Sequence, residues 1–69
     1  MQKQELEFLE QNILTLAKSN GLISIDLILD YLDYINKVKY KKEEIIHILE
    51  KLVAEDKLNH INDSYSLKL

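Results

Sequence analysis

The sequence predicts a mainly helical α+β fold, three helices followed by a C-terminal β-hairpin, and three observations carry that prediction. From Lys41 to Asp56 the apolar residues Ile45, Ile46, Ile48, Leu49, Leu52 and Val53 recur at helical spacing. From Leu58 onward the rhythm changes to strict alternation around Asn62-Asp63, as in two strands joined by a turn. Ahead of that switch lie two more stretches of helical period, divided by Asn20-Gly21 and Ser24, residue types that stop and start helices.

The first helix is expected from Lys3 to Ser19, with Leu6, Leu9, Ile13, Leu16 and Ala17 on one face. Phe8 projects from nearly the opposite side, in an uncharged strip with Gln4, Gln11, Asn12 and Thr15. An exposed aromatic in such a strip is a candidate contact for another protein, although single exposed apolar residues are ordinary. Leu22-Ile23 is too short for an independent strand but can join the hairpin as a third. Ser24 then caps the second helix, Asp26 sits favourably in its first turn, and Ile23 can staple onto Ile28.

The second helix runs to about Asn36. Its aspartates 26, 30 and 33 share a narrow face, read as solvated rather than as a metal site. Leu27, Ile28, Leu29, Tyr31, Leu32, Tyr34 and Ile35 spread over more than half its circumference. So wide an apolar arc implies a central helix or one shared with a neighbouring chain.

The connection from Asn36 to Lys42 carries Lys37, Lys39, Lys41 and Lys42 with Val38 and Tyr40 between them, the one basic cluster in the sequence. Lysines before a helix oppose the positive end of its dipole, which Glu43 and Glu44 offset internally and a phosphate would offset externally. The plain alternative is a solvated turn in which Asp33 pairs with Lys37. The third helix shows Glu43, Glu44, His47, Glu50, Lys51 and Ala54 outward, a face with more negative than positive charge. His47 lies one turn from Glu43 and from Glu50 and reads as a surface histidine. In the hairpin, Asn62-Asp63 at the turn pairs Ile61 with Ser64, His60 with Tyr65, Asn59 with Ser66 and Leu58 with Leu67. That register places Leu58, His60, Tyr65, Leu67 and Leu69 on one face.

At 69 residues with 46% hydrophobic content, the chain is expected to be one domain, 1–69, of marginal stability. There is no Cys, and no metal-ligand spacing staples it. No apolar run is long enough to span a membrane and the start is polar, so a cytoplasmic location is expected. The net charge of −3 and pI near 5.2 exclude a generally polyanion-binding surface, so any nucleic-acid affinity must be local. All nine basic residues are lysines, which removes the side chain that most often reads guanine. With two His, one Gly and no spaced nucleophile and base, no catalytic residue, cofactor or metal is expected, and the chain is not read as an enzyme.

In this order of elements the chain resembles the winged helix-turn-helix superfamily from Leu6 to Leu69. The likeness is clearest in Gly21-Leu22-Ile23-Ser24 and in Leu52-Val53-Ala54-Glu55-Asp56-Lys57-Leu58 leading into the wing. The resemblance implies a third helix in the major groove and a wing on the backbone. On this sequence it places Lys39, Tyr40, Lys41 and Lys42 at phosphates, beside Lys37, and Glu43 and His47 nearest base edges. The chain departs from DNA-binding members in its acidic helix face and in a wing tip, Ile61 to Ser64, without a cation.

Two functions are therefore expected. The first is a small DNA-binding protein, a transcriptional regulator acting as a homodimer on double-stranded DNA through Lys37, Lys39, Tyr40, Lys41, Lys42 and His47. The alternative is a protein-protein interaction module, a subunit or inhibitor of a nucleic-acid-handling complex. It would meet a basic protein partner with Phe8, Glu43, Glu44 and Glu50.

Overall fold

In the computed structural model, which describes residues 2–68, the chain forms α1 (Lys3–Asn20), β1 (Leu22–Ser24), α2 (Ile25–Asn36), α3 (Lys42–Ala54), β2 (Leu58–Ile61) and β3 (Ser64–Leu67). The architecture is α+β and mainly α: three helices with a small three-stranded antiparallel sheet.

Local chemistry sets each boundary. Gly21 ends α1 at φ 83°, a backbone state that side chains resist, and its N–H donates to the Ala17 carbonyl at 2.9 Å. Ser24 is extended, and its Oγ accepts from the Leu27 N–H at 3.1 Å to cap α2. Ile23 and Ile28 flank that cap and both enter the core, as the staple requires. α2 closes on Lys37 at φ 57°, whose N–H donates to the Asp33 carbonyl at 2.9 Å.

Glu44 organises the start of α3. Its Oε1 accepts from the Lys41 N–H at 3.0 Å, while its own N–H donates to the Lys41 carbonyl at 3.1 Å. The helix ends at Ala54, two residues earlier than the periodicity suggested, because Asp56 turns left-handed at φ 62°. The Lys57 N–H then reaches back to the Leu52 carbonyl at 2.9 Å, satisfying an otherwise orphaned acceptor.

The hairpin takes the expected register, Leu58 with Leu67, Asn59 with Ser66, His60 with Tyr65 and Ile61 with Ser64. Asn62 supplies the positive φ, 55°, that its tight turn needs. β1 adds to the free edge of β3, pairing Ile23 with Tyr65, so the strand order is β1-β3-β2. The short Leu22-Ile23 stretch is thus a strand only because a partner strand is present.

One apolar cluster joins the elements: Leu9, Ile13, Leu16 and Ala17 from α1, Ile28 and Leu32 from α2, Ile45, Ile48, Leu49 and Leu52 from α3, with Ile23, Leu58 and Tyr65 from the sheet. Ile46 and Val53, expected in the core, are only half-buried because they lie on the flank of α3 rather than on its inward face. On the expected hairpin face Leu58 and Tyr65 are buried and Leu67 half-buried, while His60 is exposed; Leu69 lies outside the described residues. Glu10 is buried at 7% exposure, which α1's apolar pattern did not foretell. Among the described residues no helix is long and apolar enough to cross a membrane.

Candidate functional site

The first turn of α2, the flank of α3 and the hairpin enclose an open groove. Ile25 and Asp26 come from α2, Lys42, Ile46 and Glu50 from α3, and His60, Asp63 and Tyr65 from the hairpin. On α3 the three lining residues are four apart, so they form one longitudinal row. Ile25, Ile46 and Tyr65 are at least half-buried and make the floor, whereas Asp26, Glu50 and Asp63 are exposed and carry the rim. Three carboxylates against the single Lys42 ammonium give this concavity a negative field.

His60 lies over Tyr65 with ring centroids 4.4 Å apart and planes 10° from parallel. The stack holds the hairpin wall of the groove in place. Burial pushes the Tyr65 phenol above its ordinary pKa, and the negative charge of Glu50 adds to the effect. The phenol therefore stays neutral and leaves the field to the carboxylates.

The lysine cluster occupies a different edge. Lys37, Lys39, Lys41 and Lys42 are all exposed, and none has a salt-bridge partner among the described residues. The side-chain pair of Asp33 and Lys37 that the plain alternative offered does not form, because the left-handed turn at Lys37 joins these residues through their backbones instead. Lys39 lines a shallow cleft with Asp30, Asp33 and Tyr40. Tyr40 is half-buried and packs against the core, and its hydroxyl accepts from Asn36 Nδ2 at 3.4 Å. It braces the connection rather than offering a free ring.

Glu43, Glu44 and His47 border a second cleft with Leu6 and Ile48, between the N-terminal halves of α1 and α3. Glu44 is already committed to its helix cap, while Glu43, His47 and Glu50 are exposed. On a helical wheel Glu43, His47, Glu50 and Ala54 form the arc of α3 opposite its buried residues. Phe8 is 48% exposed on α1, its carbonyl accepting from Asn12 Nδ2 at 2.7 Å. Among the described residues no three His, Cys, Asp or Glu side chains group so as to hold a metal ion, and Asp26, Asp30 and Asp33 are exposed.

The structure thus brings together residues that sequence reasoning used only locally. Asp26 was a first-turn charge, Asp63 a turn residue and Ile46 a core residue, yet all three face one groove. The hairpin register already set His60 against Tyr65; nothing in the local pattern linked either to Asp26. No protein-family model, curated protein or solved structure matches the chain.

Proposed function

We propose that this chain is a winged-helix interaction module that docks a cationic partner protein in the groove between α2, α3 and the hairpin. The order helix, strand, helix, helix, hairpin, with β1 beside β3, supports the winged-helix reading. The observation that carries the function is the rim of Asp26, Glu50 and Asp63 over a floor of Ile25, Ile46 and Tyr65. A segment bearing lysine or arginine together with an aliphatic side chain complements it in both charge and polarity. DNA fits this face poorly. The outward arc of α3 would carry Glu43 and Glu50 toward phosphates, and the hairpin turn adds Asp63.

The second reading, a small transcriptional regulator on double-stranded DNA, is favoured by the four exposed lysines 37, 39, 41 and 42 with no salt-bridge partner. One experiment separates the two. Fluorescence anisotropy is measured with a labelled Lys/Leu-rich peptide and, separately, with a labelled mixed-sequence duplex at low and physiological salt. Docking predicts peptide binding that weakens at least about tenfold when Asp26→Asn, Glu50→Gln and Asp63→Asn are combined, since three charges are lost from the rim. Duplex binding at physiological salt that disappears on Lys39→Glu, Lys41→Glu and Lys42→Glu, with the peptide ignored, would establish the second reading instead. A logarithmic salt slope of roughly −0.9 per contacted phosphate would then count the lysines in use.

A further inference from the structure

His60 is the one imidazole in the lining of the groove. As a class, imidazoles exchange a proton near neutral pH, whereas carboxylates and ammonium groups keep their charge there. The charged and titratable groups that share the groove with His60 are Asp26 from α2, Lys42 and Glu50 from α3, Asp63 from the hairpin turn and Tyr65 from β3. With the imidazole neutral, three carboxylates against one ammonium leave two net negative charges; a proton on His60 leaves one.

The fold keeps that added charge on the groove wall. Cross-strand pairing with Tyr65 and the near-parallel stack of the two rings fix the imidazole in place. An imidazolium lying flat over a phenol ring is attracted to its π face, so the stack persists in either protonation state. His60 is exposed and has no salt bridge among the described residues, so water exchanges its proton and no fixed partner cancels the charge. The Tyr65 phenol beneath it is kept neutral by burial.

We infer that His60 makes docking in this groove proton-sensitive, so that a cationic segment is held when the imidazole is neutral and released as it gains a proton. This inference rests on the partner reading proposed above. Its sign follows from linkage. A docked lysine or arginine disfavours a second cation on the wall, so docking expels the His60 proton and affinity falls as pH falls. A single titrating group limits the slope to about tenfold per pH unit. The rim carboxylates are not the source, since carboxylates as a class lose their charge only at lower pH.

Fluorescence anisotropy tests the coupling, with a labelled Lys/Leu-rich peptide whose termini are blocked and which contains no histidine or acid, so that its own charge stays constant. Affinity is compared at about pH 7.5 and about pH 5.5 at one ionic strength, on either side of the ordinary imidazole range. The native chain should bind at least about threefold more weakly at the lower pH, as one unit charge close to the docked lysine requires. His60→Phe keeps an aromatic stack and His60→Gln keeps a polar side chain, and both remove the proton site. Each should bring the affinity ratio between the two pH values to about one. The chain has one other histidine, and His47→Gln should retain the native ratio. Peptide binding that is weakened by the triple rim variant yet independent of pH in the native chain overturns this inference and leaves the groove reading standing. A pH ratio that survives both His60 variants, or that disappears with His47→Gln, overturns it in the same way. A native chain that ignores the peptide at the higher pH overturns the reading and the inference together.

Discussion

Lys51 Nζ on α3 lies 2.6 Å from Glu10 Oε2 on α1, joining a half-exposed ammonium to a nearly buried carboxylate across 41 residues of sequence. This ion pair fastens the first helix to the third beside the core. Lys51 also reaches Glu55, the residue just past the end of its own helix, at 3.3 Å, and Glu55 pairs with Lys57 at 3.5 Å. Truncating Lys51 strands the Glu10 charge in a place where water reaches it poorly. Lys51→Met should therefore lower the urea midpoint, and Glu10→Leu combined with Lys51→Met should recover it. A single variant as stable as the native chain would show that the pair contributes nothing.

The same network shapes the pH profile. The Lys51 ammonium is held above its ordinary range, chiefly by its hydrogen bond to Glu10. Its contribution is complete below the unfolded lysine pKa and is lost as pH climbs through the raised folded value. Burial raises the Tyr65 phenol, so unfolding releases its proton more readily and stability falls over the same alkaline range. Glu55 is lowered, mainly by its hydrogen bond to Lys51, so its contribution is present above the ordinary glutamate pKa and fades as pH falls through the lowered value. Thermal melts should give a plateau from about pH 5 to about pH 10 with a decline on each side. Lys51→Met should shrink both declines.

Two left-handed positions have opposite prospects. Gly21 at φ 83° has nothing within 4 Å of an added Cβ, so Gly21→Ala meets only the backbone penalty. It should cost about 1 kcal/mol, or roughly 4–8 °C of melting temperature in a domain of this size. Lys37 holds φ 57° at the end of α2, a state glycine adopts more cheaply. Lys37→Gly should stabilise by about 0.5–1 kcal/mol, read from the same melts.

Ser24 serves β1 and α2 at once, pairing with Ser64 in the sheet and capping the helix through Leu27. Ser24→Ala should cost about 1 kcal/mol, and Ser24→Asp should restore most of it by accepting the same N–H. Equal denaturation curves for the alanine and aspartate variants would remove the cap from the account.

Replacing His60 by Ala uncovers the Tyr65 ring and should cost about 0.5–1 kcal/mol in chemical denaturation, whereas His60→Phe should keep the stack. The alanine variant should also loosen the hairpin wall of the groove, visible as faster amide exchange at Asn59 and Ser66.

Most of the fold was legible in the order of residues because its elements are set by near neighbours. Apolar steps of three and four, a serine before a helix, a glycine after one, and alternation around Asn62-Asp63 act over a few residues each. The ends of α3 were read less well, since the left-handed turn at Asp56 overrode a hydrophobic rhythm that ran on toward it. Which charges meet was decided by packing. Glu10 finds Lys51, and Asp26 shares a rim with Glu50 and Asp63, because three helices and a sheet close on one small core and carry distant residues to common edges. Coulomb interaction depends on separation in space, and chain position constrains that separation only within an element; between elements, the core sets it.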